Sequence, residues 1–497
     1  MDVELRHADE VHVISDLHIG GEPGFRMFGA PGTLAAYLQA LAVQAGKTRW
    51  LVINGDFVDF LAEVPRRAFD ARGAGTKLAR IMADAEFRPV FDGLRAFLSR
   101  PQNHLAIVVG NHDVELALPW VQDVLLGALA DGDSARAGRI VWALDGQGLG
   151  LRVGGPRGPR VLCLHGNEVD DWNVVDHDAV RRLGREVLRG NAIDEDWTPN
   201  AGSRMVIEVM NDIKHEFPFV DLLKPEQEAV VPILLALKPA AAARLGSIVA
   251  LQGRRLADRA RMAAGFLGDG QDGVALGLEQ SPETPAGNVT ARRPALSRRN
   301  DNQRLARALL DRADGRLHTG EEAGDLLASD AGRSYLGLPG AAWGVLRGDP
   351  VEAVREALEA LDKDRSFDVF HRDETFVALD KQVSSEIDFL VAGHTHLPRA
   401  IERHYNRSFY FNSGTWARVL RLDDEHRRDR TRFAALLQAL KSRDVAAFDG
   451  MLGLIREPPH AVVIRNEGQV TLGELRSFGV GAPAEGLPVP GTTFRRS

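Results

Sequence analysis

Short apolar runs recur along the chain, and five of them end in polar residues able to hold a metal or a phosphate. "VHVIS" (11–15) leads into Asp16-Leu17-His18, and "WLVIN" (50–54) into Gly55-Asp56. "LAIVV" (105–109) leads into Gly110-Asn111-His112-Asp113, "RVLCL" (160–164) into His165, and "FLVA" (389–392) into Gly393-His394-Thr395-His396. Runs of four to six β-branched or Leu-rich residues, bounded by Gly, Asp or Asn, predict buried strands. Apolar residues at three- and four-residue spacing over 32–46 and 83–100 predict helices between the early strands. Strand–helix–strand alternation implies parallel strands joined by helical crossovers, with polar residues collected at the carboxyl edge of the sheet.

The rhythm changes over 176–384, which reads as a mostly helical insertion. Pro218, Pro225, Pro232 and Pro239 punctuate it, and a Gly/Pro/Ser/Arg-rich stretch near 267–303 reads as a loop. A helix is expected over 349–364, opened by Asp349-Pro350. Residues 408–422 read as one strand, 424–442 as a charged helix, and 460–475 as a hairpin turning at Asn466-Glu467-Gly468. The expected division is a catalytic core in two parts, 1–175 and 385–478, the insertion between them, and a disordered Pro/Gly-rich tail over 479–497.

Composition narrows the setting. A 497-residue chain with 44% hydrophobic and 26% charged residues is ordinary for a globular protein. The net charge of −8 gives no overall attraction to nucleic acid or anionic membrane. One cysteine, Cys163, excludes an intramolecular disulfide, and the charged start lacks a signal-peptide core, so the expectation is a cytoplasmic protein. The most apolar long stretch, 229–251, is broken by Pro232, Lys238, Pro239 and Arg244, so no transmembrane segment is expected.

The strand-end residues Asp16, His18, Asp56, Asn111, His165, His394 and His396 mix hard oxygens with imidazoles. That set suits Mn, Fe, Zn, Co or Ni better than Ca, and the absence of cysteine argues against a structural zinc cage. Seven donors exceed the needs of one four-coordinate ion; two ions sharing a carboxylate would use them all.

In order, "SDLHIG", "GDFVD", "GNHD", "LHGNE" and "GHTH" resemble the motif series of the calcineurin-like metallophosphoesterases. Each block alone is weak; all five in order at strand ends are specific. The resemblance covers roughly 11–175 and 385–475. It implies a four-layer α/β/β/α sandwich and a dinuclear metal-dependent phosphoesterase, with Mn the first choice of metal. It further implies one ion on Asp16, His18, Asp56 and His396, and a second on Asp56, Asn111, His165 and His394. His112 would serve the leaving oxygen, Asp113 would orient its imidazole, and Asp59 would support the site from outside. The expected substrate is a phosphodiester or nucleotide-type ester, with a UDP-sugar-lipid pyrophosphate or a nucleic acid as alternatives.

A nucleic-acid partner rests only on a local surplus, 14 Lys/Arg against 8 Asp/Glu over 238–316, with almost no aromatic residues to stack bases. A non-enzymatic scaffold of this fold would lack ligands, and none is missing. The remaining candidates read as structural. His12, His104 and Trp416 are taken as packing residues, Cys163 as buried and inert, and His215 and His371 as surface or packing residues. The carboxylates from Asp170 to Asp178 are taken as solvated helix-start groups.

Overall fold

The computed structural model describes residues 5–224 apart from 171 and 192–198, residues 233, 351, 355 and 358, and residues 365–496 apart from 406. In chain order its strands are β1 (Arg6–Ala8), β2 (Glu10–Ile14), β3 (Arg49–Asn54), β4 (Asn103–Val108), β5 (Ile140–Ala143), β6 (Leu149–Val153), β7 (Arg160–Cys163) and β8 (Phe389–Ala392). They continue with β9 (Pro398–Glu402), β10 (Phe409–Ser413), β11 (Leu420–Leu422), β12 (Leu454–Arg456), β13 (His460–Glu467), β14 (Val470–Ser477), β15 (Leu487–Pro488) and β16 (Phe494–Arg496).

Two large sheets form from them, and β11 and β12 pair antiparallel as a separate ribbon. One has the order β15-β14-β13-β2-β3-β4-β5, with β16 also on β14; the other has the order β1-β6-β7-β8-β10-β9. In the first, β2, β3, β4 and β5 are parallel, so the ends of β2, β3 and β4 open on one edge. In the second, β7 and β8 are parallel and bring His165 and Gly393 level, Gly393 N donating to His165 O at 2.8 Å. The ligand-bearing strand ends therefore converge from two facing sheets, three from one and two from the other.

Alternation along the strands explains the layering, because successive side chains of a strand point to opposite faces. Val11, Val13, Val52, Ala106 and Val108 face Leu151, Val161, Cys163, Phe389 and Val391 between the sheets. Their neighbours Ile14, Leu51, Ile53, Leu105 and Ile107 pack outward against α1 (Pro31–Val43), α3 (Arg88–Leu98) and α4 (Pro119–Ala130). On the far side, the helix Glu374–Gln382 lays Phe376 and Leu379 on Leu390 and Tyr410. This is the α/β/β/α sandwich. Cys163 and Trp416 are fully buried, as expected; burial pushes the Cys163 thiol up to about 12.

Several boundaries differ from the sequence reading. The helix expected over 83–100 starts at Arg88, where Pro89 suits a first turn, and a separate helix α2 (Ala74–Ala83) precedes it. The strand expected over 408–422 is cut at Gly414, whose φ of +66° turns the chain between β10 and β11. The charged helix divides at Asp429, which caps the second segment through Arg432 N. The tail expected to be disordered instead adds β15 and β16 to β14, and Phe494 stacks on Phe409 with ring centroids 4.5 Å apart.

Of the expected insertion, 200–224 packs Met210, Phe219, Leu222 and Leu223 on Leu420, Phe433, Leu436 and Phe448. Leu420 N donates to Leu222 O at 2.7 Å. The helix read over 349–364 is described at Val351, Arg355 and Leu358, all helical. The loop near 267–303, the stretch 234–251 and the arginines over 292–316 lie outside the described residues. Among the described residues no helix is long and apolar enough to cross a membrane.

One buried carboxyl behind the site gives a pH-dependent signature. Glu115, just past Asp113, accepts from Asp70 N at 2.8 Å, and Lys77 Nζ lies 3.2 Å from the Asp70 carboxylate. Burial raises Glu115 to about 7. A carboxyl that keeps its proton longer in the fold than in the unfolded chain stabilises the fold only below its unfolded value. Between pH 4.5 and 7 stability therefore falls as pH rises, by on the order of 3 kcal/mol. Glu115→Gln keeps the acceptor oxygen and removes the titration. Its melting temperature is expected to rise relative to the unsubstituted chain between pH 5 and 8; parallel pH profiles would contradict this.

Candidate metal centre

The backbone carries a signal of its own. Seven non-glycine residues among those described have positive φ, and five of them are Asp16, His18, Asp56, His394 and His396. Left-handed conformation costs about 1–2 kcal/mol per residue, so its concentration here means that surrounding structure holds these side chains in place. The loops lock onto each other: Asp16 N donates to Gly55 O (3.1 Å) and His18 N to Asp56 O (2.9 Å). His394 N lies 3.0 Å from both oxygens of Asp16. Gly55 and Gly110 permit the approach, since a Cβ would meet His165 Nδ1 at 2.1 Å and Asp56 Oδ1 at 2.2 Å respectively.

The side chains converge on two adjoining points. His18 Nε2 and His396 Nε2 are 3.0 Å apart, and His396 Nε2 lies 3.4 Å from Asp16 Oδ1. Nitrogens binding one ion at right angles from 2.1 Å would stand about 3 Å apart. At the second point His165 Nε2 is 3.3 Å from Asp56 Oδ2. The same Oδ2 lies 3.7 Å from His18 Nε2, which places it between the two groups. The other oxygen of Asp56 is taken by His112 N at 2.9 Å.

Charge and hydrogen bonding leave room for cations. Asp16, His18, Asp56, Asn111 and His165 are all buried. His165 Nε2 and Asn111 Oδ1 have no well-directed hydrogen bond among the described residues, although groups this buried normally find one. Burial raises Asp16, while for Asp56 it is outweighed by His165 and His112, which hold that carboxylate well below its usual range. Burial alone would depress His165; Asp56 and Asp16 overcome it and raise the imidazole to about 10. Without cations, a proton on His165 balances part of the buried carboxylate charge, whereas burial and His18 push His396 down. Divalent ions would replace that proton, so the donor set fits them.

The comparisons agree with this chemistry. Residues 10–216 match the sequence model of the family described as calcineurin-like phosphoesterase. Residues 10–216 are a calcineurin-like phosphoesterase domain. The family binds metal ions and hydrolyses phosphate esters, and the Asp/His clusters of the domain suit that activity. No curated protein and no solved structure gives a significant match. The match stops before His394 and His396, which the fold carries to the same place from the second sheet.

Around this centre two carboxylates make other contacts than expected, and Asp59 supports the site as expected. Asp113 does not reach the His112 ring: its oxygens accept from Gly110 N (2.7 Å) and Phe57 N (2.8 Å), tying two site loops together. The carboxylate on the imidazole is Asp59, whose Oδ1 lies 3.3 Å from His112 Nδ1. Asp59 Oδ2 also lies 3.6 Å from His18 Nδ1, so Asp59 supports two rings. Burial would lower His112, but Asp59 and Asp56 raise it to about 9.

Asp170 was expected in solvent. Its Oδ2 instead stands 2.9 Å from His394 Nε2, and despite burial that histidine holds the carboxylate near its folded value of about 2. An acidic run gives no sequence signal for such a contact across 224 residues. His12 and His104 are structural as read: one bonds Tyr37 Oη at 2.7 Å, the other stacks on Trp50. His215 packs on Phe25.

Proposed function

We propose that the domain is a dinuclear phosphoesterase. Asp16, His18, Asp56 and His396 hold one ion; Asp56, Asn111, His165 and His394 hold the other. The observation that carries this reading is the single oxygen, Asp56 Oδ2, facing His18 Nε2 and His165 Nε2 from between them. A pair of bound divalent ions supplies water ionised near neutral pH and charge neutralisation for phosphate oxygens, Mn being the first choice. The chain's own residues then orient the ester and manage its protons. His112, only partly exposed and backed by Asp59, holds a proton at neutral pH on the cavity side of the site.

A cavity of about 180 Å³ lies over these residues, lined also by Lys214, Lys224, Met27, Val206 and Met210. Lys214, ion-paired to Asp221 in the same wall, and Lys224 lie beside the centre, and we read the substrate as a phosphodiester or nucleotide-type ester. The apolar wall of Val206 and Met210 supports, as a second reading, a pyrophosphate joined to an apolar group. The test is hydrolysis of bis-p-nitrophenyl phosphate and p-nitrophenyl phosphate by metal-stripped protein reloaded with Mn. Metal-dependent cleavage with the diester preferred is expected. Failure to turn over either ester contradicts the reading, and a monoester preference contradicts its substrate assignment.

A further inference from the structure

Asp170, Trp172 and Asn173 between them touch the second group of donors and the inserted stretch. Asp170 Oδ2 accepts from His394 Nε2 (2.9 Å) and from Asn173 Nδ2 (2.7 Å). A proton on His394 Nε2 leaves Nδ1 as the basic nitrogen of that ring. Asn173 Oδ1 in turn faces Asn111 Nδ2 at 3.4 Å, which turns Asn111 Oδ1 the other way, buried and without a hydrogen bond among the described residues. Asp170 and Asn173 are themselves held: Asp170 Oδ1 accepts from Trp172 N at 2.9 Å, and Asn173 O from Asn167 Nδ2 at 2.9 Å.

The inserted stretch rests on the same residues. Gly202 N donates to Trp172 O at 2.8 Å, and Ser203 Oγ lies 3.5 Å from Asn111 O. Gly202 sits in the helix Ala201–Met205, where alanine would be favoured by about 1 kcal/mol. A Cβ there would stand 2.0 Å from Asn173 Oδ1 and 2.9 Å from its Cγ. The glycine is needed for contact with Asn173, against local helix preference.

We infer that Asp170 and Asn173 are positioning residues for one metal only, the ion assigned to Asn111, His165 and His394, and that the docked helix at Gly202 sets that ion's affinity. This rests on the dinuclear reading. None of the contacts made by Asp170, Asn173 or Gly202 reaches Asp16, His18 or His396; the link to the first group runs only through the His394 backbone and the shared Asp56, so the second ion is the one affected first. The two metals are then unequal, and the second is bound fully only when the inserted stretch is seated.

The test is Mn titration of the metal-stripped full chain, by calorimetry and electron paramagnetic resonance, for the unsubstituted protein, Asp170→Asn and Gly202→Ala. The unsubstituted chain is expected to take two ions and show the spectrum of a coupled pair. Both variants are expected to keep one tight ion, bind the second about 10–100-fold more weakly, and show the spectrum of isolated Mn until excess metal is added. Gly202→Ala favours its helix, so it serves if Asp170→Asn fails to fold. Unchanged binding of both ions in the variants would overturn the inference, as would equal weakening of both. An unsubstituted chain that binds no ion would overturn the dinuclear reading and this inference with it.

Discussion

Asp56→Asn is expected to lower metal-dependent ester hydrolysis by on the order of a thousandfold and to leave the protein short of metal. The carboxylate has two separate duties, Oδ1 accepting from His112 N and Oδ2 standing between His18 and His165. An asparagine can satisfy one. If its oxygen keeps the backbone contact, an NH2 group points at the donors and neither ion can share it. If the amide flips, the loop bearing Asn111 and His112 loses its anchor. The loss extends to charge, since Asp56 is the foremost carboxylate raising His165. Metal content measured beside kcat checks the prediction; full content with normal kcat would contradict it, and a melting curve separates site loss from unfolding.

His112→Ala is expected to behave differently, keeping both ions and losing rate in proportion to how poor the leaving group is. The Asp56 contact is made by the His112 backbone and survives the substitution. Only the imidazole goes, along with its proton. General-acid catalysis contributes about 10²–10⁴-fold where the leaving oxygen needs a proton. Alkyl diesters should therefore lose that factor, while p-nitrophenyl esters, whose leaving group is stable as an anion, lose much less. The pH profile carries the same information. His112, raised to about 9 without metals, is the acid form at lower pH, and nearby cations lower that value. An alkaline limb at or below about pH 9 is expected in the unsubstituted enzyme and absent from the variant. Equal losses on both ester types would remove His112 from this role.

What the sequence made legible was the convergence of the strand-end residues. Asp16, His18, Asp56, Asn111, His165, His394 and His396 each follow a strand that reads plainly from its apolar run; parallel pairing aligns the strand ends within each sheet, and the packing of the two sheets brings the two sets together. What it hid were contacts between groups far apart in the chain. Asp113 looked like the partner of its neighbour His112, yet the turn sends it to Gly110 N and Phe57 N, leaving Asp59 beside the ring. Asp170 sat in an acidic run that resembles a solvated helix start, and only the return of the chain at His394 gives it a partner. The tail misread for a related reason. Its Pro/Gly composition suggested disorder, but β14 offered a free edge, and backbone pairing with Phe494 on Phe409 needs little from the side chains between.

The most direct measurement is diffraction from crystals grown with Mn, with data collected at the manganese absorption edge. Two anomalous peaks about 3.5–4 Å apart are predicted, with Asp56 Oδ2 between them, Asp16, His18 and His396 on one, and Asn111, His165 and His394 on the other. A single peak, or none within this group, would contradict the dinuclear centre.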